Sequence, residues 1–197
     1  NGDRLDFRSF ELASAVTDLK AAGAIESLAD RRGKLMIEAE SLDLDGMIAL
    51  LSGMQGAQGA QGAQGATGAP AAFDLTFDVT AAKGRAGGVQ FDDLKAVIHA
   101  TATAVQMEPF AFGAFGGRVD GKARVDTSRA EPMLVLDTKF SQLDVAAVAA
   151  FAGQPGAISG RLAGELHVSG GGFEPTAALG NGTGNGALAI TDGGVPH

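Results

Sequence analysis

The stretch that decides the fold is PFAFGAFGGRVDGKARVD, residues 109–126. Phe110, Phe112 and Ala114 share one parity before Gly116-Gly117, and Val119, Gly121, Ala123 and Val125 share the opposite parity after it. A glycine pair supplies the positive φ angles that a tight hairpin needs, so the stretch reads as two short strands folded about those glycines. The positions left over on the second strand, Arg118, Asp120, Lys122, Arg124 and Asp126, are all charged. One face is therefore apolar or small and the other charged, the pattern of a sheet wetted on one side.

The same alternation runs outward from this hairpin. AFDLTFDVT, residues 72–80, places Phe73, Leu75, Phe77 and Val79 on one face and Asp74, Thr76, Asp78 and Thr80 on the other. A turn at Lys83-Gly84-Arg85 leads to Val89 and Phe91, a parity slip at Asp92-Asp93, and then Leu94, Ala96, Ile98 and Ala100, with Val105 and Met107 continuing into the hairpin. Downstream, ISGRLAGELHVS, residues 158–169, alternates Ile158, Leu162, Leu166 and Val168 against Arg161, Glu165 and His167. ALAITDGG, after the run GNGTGNG, reads as a last short strand.

Upstream, Leu5 and Phe7, then Phe10, Leu12, Ser14 and Val16, fit an opening strand with a bulge near Ser9. Residues 21–32, bracketed by Gly23 and Gly33, read as a loop. KLMIEAESL, residues 34–42, reads as a strand with Leu35, Ile37, Ala39 and Ser41 on one face. The period then changes: Leu44, Met47, Ile48 and Leu51 fall at helical spacing behind Asp43, placed to cap the first turn. A second strand-plus-helix unit follows at residues 133–155, where Asp144 corresponds to Asp43 and the helix carries Val148 and Phe151, which suggests a pseudo-repeat.

Between these units lies GMQGAQGAQGAQGATGAP, with glycine at every third position for six triplets. A collagen triple helix demands that period, but proline occurs once here, and six triplets flanked by sheet are poorly placed to trimerise. The stretch reads as a flexible tether.

Composition narrows the function classes. The chain has 197 residues, 45% of them apolar, with 30 glycines, 11 phenylalanines, no tryptophan and no tyrosine, a profile of many turns and thin side chains. A net charge of −8 without a basic patch argues against a nucleic-acid partner. The absence of cysteine excludes disulfides, thiolate metal sites and thiol nucleophiles. No apolar run reaches the length of a membrane-spanning helix, and the first residues do not form a signal peptide. The beginning without methionine and the stop after a strand read as a fragment of a longer protein.

No catalytic or metal site emerges. GNGTGNG contains G-x-G-x-x-A from Gly182 to Ala187, but a strand follows, so no helix N-terminus awaits a pyrophosphate and the run reads as a turn. His99 and His167 fall on the polar parity of their strands without a carboxylate at ligand spacing, and Asp92-Asp93, Asp74, Asp78 and Glu108 read as solvated charges. No cofactor is implied.

The apolar face itself remains. Phe73, Leu75, Phe77, Val79, Val89, Phe91, Leu94, Ile98, Val105, Met107, Phe110, Phe112, Val119, Val125, Leu134, Leu136, Leu162, Leu166 and Val168 line one side of a sheet of eight or more strands. Two helices of about ten residues, about 15 Å long, cover only part of it. An open apolar patch larger than a few hundred Å² marks a binding surface, and strands of about eight residues span roughly 27 Å, longer than one bilayer leaflet. The alternative is a face that curls on itself and fills with its own side chains.

The order of LDLDGMIALL, a Gly/Ala/Pro-rich tether, FDLTFDV, MEPFAFGAFGGRVDGKARVD, FSQLDVAAVAAF, ISGRLAGELHVSGGG and GNGTGNGALAITDGG resembles the C-terminal region of AsmA-family proteins, from about Lys34 onward. The resemblance implies a periplasmic protein of a Gram-negative bacterium, anchored to the inner membrane by a segment outside this chain and associated with outer-membrane biogenesis. Relatives, the bridge-like TamB type among them, are proposed to carry phospholipid between membranes along a β-groove. The departure is the Gly-Ala-Gln tether.

The expectation is a mainly β protein: an antiparallel, strongly twisted meander forming a groove or partial barrel, with two short amphipathic helices. Residues 1–52 form a strand and short-helix unit, 53–71 the tether, and 72–197 the main sheet with the second helix, all one continuous domain. The function expected is non-enzymatic shielding of phospholipid acyl chains on the apolar face, with no cofactor, no metal and no nucleic acid. The alternative is a structural module with a self-filled core that pairs with neighbouring segments of its parent.

Overall fold

The computed structural model describes residues 4–13, 17–27, 30–43, 73–129, 131–155, 159–171 and 182–194. Ten strands form one sheet in chain order: β1 (Leu5–Ala13), β2 (Asp18–Ser27), β3 (Arg32–Asp43), β4 (Asp74–Ala86), β5 (Val89–Thr101), β6 (Ala104–Ala114), β7 (Gly117–Asp126), β8 (Met133–Asp144), β9 (Ser159–Gly171) and β10 (Thr183–Gly194). One short helix, α1 (Val145–Phe151), follows β8. Neighbours are antiparallel except β3 and β4, which pair in parallel. The sheet is open, with β1 and β10 at its edges.

The parallel pair was not legible as such. β3 and β4 both finish at the end of the sheet where α1 lies, so β4 begins at the opposite end from Asp43. The chain is thus two antiparallel meanders, β1–β3 and β4–β10, joined side by side. The expected tether and first helix fall between Asp43 and Phe73, outside the described residues.

Register stacks the apolar side chains into rungs that cross the sheet. One rung runs Gly23, Leu35, Phe77, Ile98, Met107, Ala123, Leu136 and Val168. The next runs Ala21, Ile37, Val79, Ala96, Phe110, Gly121, Thr138 and Leu166. Because side chains alternate along a strand, each rung repeats on the same face two residues on. Among the described residues the core is built this way from one sheet layer. Phe110 (4% exposed) is buried with Val79 and Ala96, Leu134 with Val168 (1% exposed), and Phe91 with Leu19, Ala39, Leu42 and Ala81.

The expected parity slips are there, and one is shared by several strands. Ala39 and Leu42, Ala81 and Gly84, and Leu94 and Phe91 are matched across β3, β4 and β5, each pair skipping two residues rather than one. The mismatch ends at β6, where β5 carries one residue more: Asp92 pairs with Gly113 and Lys95 with Ala111, and Asp93 takes a φ of 47°. A bulge in β1 lies between Phe7 and Phe10, as expected. Glu108-Pro109 forms another in β6, opposite Gly121 to Ala123 of β7.

Four local readings need correction. Of the residues 21–32 read as a loop, those through Ser27 belong to β2, which the sequence hid because alternation carried by Ala21, Gly23 and Ile25 is too thin to stand out. The turn expected at Lys83-Gly84-Arg85 lies at Gly87-Gly88, since β4 continues through Ala86. The β6–β7 turn is centred on Phe115-Gly116 rather than Gly116-Gly117. Both central residues take positive φ, 50° and 70°, and Ala114 pairs with Gly117. β10 begins at Thr183, so the end of GNGTGNG is strand rather than turn.

Candidate functional site

The side chains expected on the apolar face lie at graded depths, with Val89 half-buried and Val105 40% exposed. Val79, Phe91, Phe110 and Leu134 are buried. Phe73, Leu75, Phe77, Leu94, Ile98, Met107, Phe112, Val119, Val125, Leu136, Leu162 and Leu166 are half-buried. Phe73 sits one residue before β4 and continues the parity of Leu75. The aromatic rings touch: Phe110 stacks on Phe112 at 6.0 Å between centroids, and Phe91 meets Phe112 edge-on at 6.2 Å.

The face is wider than the sequence suggested. Leu19, Ile25, Leu35, Ile37 and Leu42 extend it through β2 and β3, and Phe140, opposite Val119, fills the β8 position. At the other edge Leu188 and Ile190 of β10 join it, opposite Gly164 and Leu162, and stand 68% and 49% exposed. β2 was hidden by its alanines and glycine. Leu188 and Ile190 lie in the stretch read as a last short strand and were not assigned to the face.

Among the described residues, cover is confined to one end. Asp144 caps α1, accepting from the backbone N–H of Ala146 (2.8 Å) and Ala147 (3.1 Å), while its own N–H donates to the Phe115 carbonyl at 2.8 Å. The helix packs on β8 and β9, and Phe151 reaches the Phe115 ring at 5.6 Å. Asp43 holds the matching place at the end of β3. It is buried, its backbone N–H donates to the Thr17 hydroxyl at 3.3 Å, and its carboxylate accepts from Arg85 at 2.6 Å. Among the described residues no second layer crosses the middle of the face.

The opposite face carries charge. Lys34 pairs with Asp78 at 2.6 Å, Asp93 with Lys95 (3.2 Å) and Arg118 (3.7 Å), and His99 with the Thr76 hydroxyl at 3.2 Å. His167 Nδ1 meets the Asp137 carboxylate at 2.5 Å. His99 and His167 thus lie on the polar face as read, but their partners are cross-strand neighbours that only the register reveals. A shallow trough of about 540 Å³ lies here, bordered by Glu108, Lys122, Asp137, Lys139, Glu165 and His167. Opposite charges alternate along it, and among the described residues no His, Asp or Glu cluster could hold a metal ion. At the turn after β7, Ser128 donates to Asp126 through its hydroxyl (2.6 Å) and its N–H (2.9 Å), which holds that carboxyl below the usual range.

Fold and site together define a class: an open, mostly antiparallel β-sheet with one apolar and one charged face, whose apolar side is capped at one end only among the described residues. The AsmA family's sequence model matches residues 4–197, and the chain belongs to the AsmA family. The match takes in β1 and β2, which the resemblance did not reach. No curated protein and no solved structure matches the chain. AsmA-family proteins are generally bacterial envelope proteins, and membership is consistent with outer-membrane biogenesis and lipid transport at the family level.

Proposed function

We propose that this chain is a lipid-handling, non-enzymatic segment of a periplasmic protein anchored to the inner membrane, and that its apolar face shields phospholipid acyl chains in transit between membranes. One observation carries the reading: apolar rungs continue from β2 to β10, and among the described residues nothing lies across their middle. Strands of 9 to 13 residues make that face about 30–43 Å deep, room for an extended acyl chain. The charged face meets water, and the chemistry is burial alone. Acyl methylenes leaving water contribute about 0.8 kcal/mol each.

A second reading is favoured by the burial of Phe110, Leu134 and Val168 by their own neighbours. There the face is its own core, and the sheet is a structural module that pairs with adjoining segments of its parent.

Native mass spectrometry of the chain purified from a Gram-negative periplasm, with extraction of whatever is bound, separates the two. Near-stoichiometric phospholipid is expected. A folded protein that carries none, and takes up none on incubation, would leave the structural module standing.

A further inference from the structure

The end of the sheet away from α1 holds an apolar recess of about 290 Å³ bordered by Ile25, Arg31, Phe73 and Leu75. Ile25, Gly33 and Leu75 are register partners on one rung, and Gly33 places no side chain between the other two. A Cβ there would come within 2.7 Å of the Ala24 carbonyl oxygen, so the close approach of the strands at this rung requires glycine.

Arg31 is the charged residue on this rim. Its carbonyl accepts from the Asp74 N–H at 3.1 Å, which fixes its backbone, while its side chain is exposed. Among the described residues no carboxylate pairs with its guanidinium. The residue holds a φ of 49°, a conformation that glycine or asparagine adopts at less cost. Arg32, next in the chain, lies on the opposite face with Asp74 across from it, so the two arginines do not share a role.

A guanidinium beside an apolar hollow is complementary to an amphiphile with an acidic head, since its planar fork takes phosphate bidentately and its stem packs on hydrocarbon. Resting on the lipid-handling reading above, we propose that Arg31 and the recess of Ile25, Phe73 and Leu75 seat the head-proximal part of an acyl lipid bearing net negative charge, in preference to a zwitterionic one. The chain's net charge of −8 opposes non-specific attraction of anionic lipid, so such a preference requires a local cation.

The test measures binding of the whole chain to acyl-labelled phosphatidylglycerol and phosphatidylcholine of equal chain length, at low and high salt. Wild type is expected to favour phosphatidylglycerol by about five-fold at low salt, the scale of one partly solvated charge-assisted contact, and less at high salt. In Arg31→Gly and Arg31→Asn that ratio falls to about one. Both variants suit the left-handed backbone, and circular dichroism should show them melting at or above the wild-type temperature. Equal binding of the two lipids by wild type, or a ratio that survives in either folded variant, overturns the inference and leaves the lipid-handling reading intact. Binding of neither lipid by folded wild type overturns both.

Discussion

The middle of the apolar face and its β10 edge are built from the same alternation, yet one is a core and the other a surface. Phe110 has β5 on one side and β7 on the other, and is 4% exposed. Leu188 has β9 on one side only, and is 68% exposed. In a single-layer sheet, burial comes from lateral neighbours rather than from an opposing layer. A second flanking strand separates Phe110 from Leu188, while position along the strand matters too, since Val105 is 40% exposed between Ala100 and Val125.

The largest expected effect follows from that difference. Phe110→Asp puts an unpaired carboxylate among Val79, Ala96 and Phe112 and should cost more than about 3 kcal/mol in urea denaturation, whereas Leu188→Asp should change stability by about 0.5 kcal/mol or less. Equal losses from both would break the comparison, because the edge would then be packed against something. Phe77→Asp, at a half-buried position between the two extremes, should retain the fold and abolish lipid uptake if acyl chains lie on the face.

A smaller contrast sharpens the same point with glycines. A Cβ on Gly121, opposite Phe110, would sit 2.1 Å from the Asp137 carbonyl oxygen, between two paired strands. Gly121→Ala should therefore cost about 1–3 kcal/mol. A Cβ on Gly184 of β10 would meet the His167 carbonyl oxygen at 2.8 Å, but β10 can shift outward, and Gly184→Ala should cost less than half as much in the same assay.

Two changes outside both regions set the lower end of the scale. Asp144→Ala removes the α1 cap and should cost about 1 kcal/mol, with the change in amide exchange confined to α1 and the Phe115 turn. Asp126 gives the smallest effect. Its carboxyl is depressed by the Ser128 hydrogen bonds, so its contribution is present above the unfolded carboxyl value and lost as pH falls through the lower folded value. A carboxyl carbon titration by NMR should place Asp126 below an ordinary aspartate, and Ser128→Ala should move it back up.

Much of the fold could be read from period alone, and particular residues show where reading stopped. The alternations of Phe73 to Val79 and of Phe110 to Val125 locate β4, β6 and β7, because large apolar residues face charged ones there. β2 escaped because Ala21 and Gly23 carry too little side chain to mark a face. The parallel β3–β4 pair escaped for a different reason: strand direction depends on where a connection returns, and no residue in either strand encodes it. The face could be assembled by parity, but its gradation from the buried Phe110 to the exposed Leu188 depends on strand order. The recess beside Arg31 depends on register as well, since Ile25 and Leu75 come to one rung only through their pairing with Gly33.

The parallel seam bears on how the chain reaches this sheet. β3 ends at Asp43 and β4 begins at Asp74, the longest connection between neighbouring strands, so each meander is assembled from more local contacts and β3 against β4 is the place where the two must find each other. Contacts between sequence neighbours form early, while those that close a long loop form late. Refolding should therefore show the two meanders as separately forming units, with docking along Leu35–Phe77 and Ile37–Val79 as the slow, concluding step.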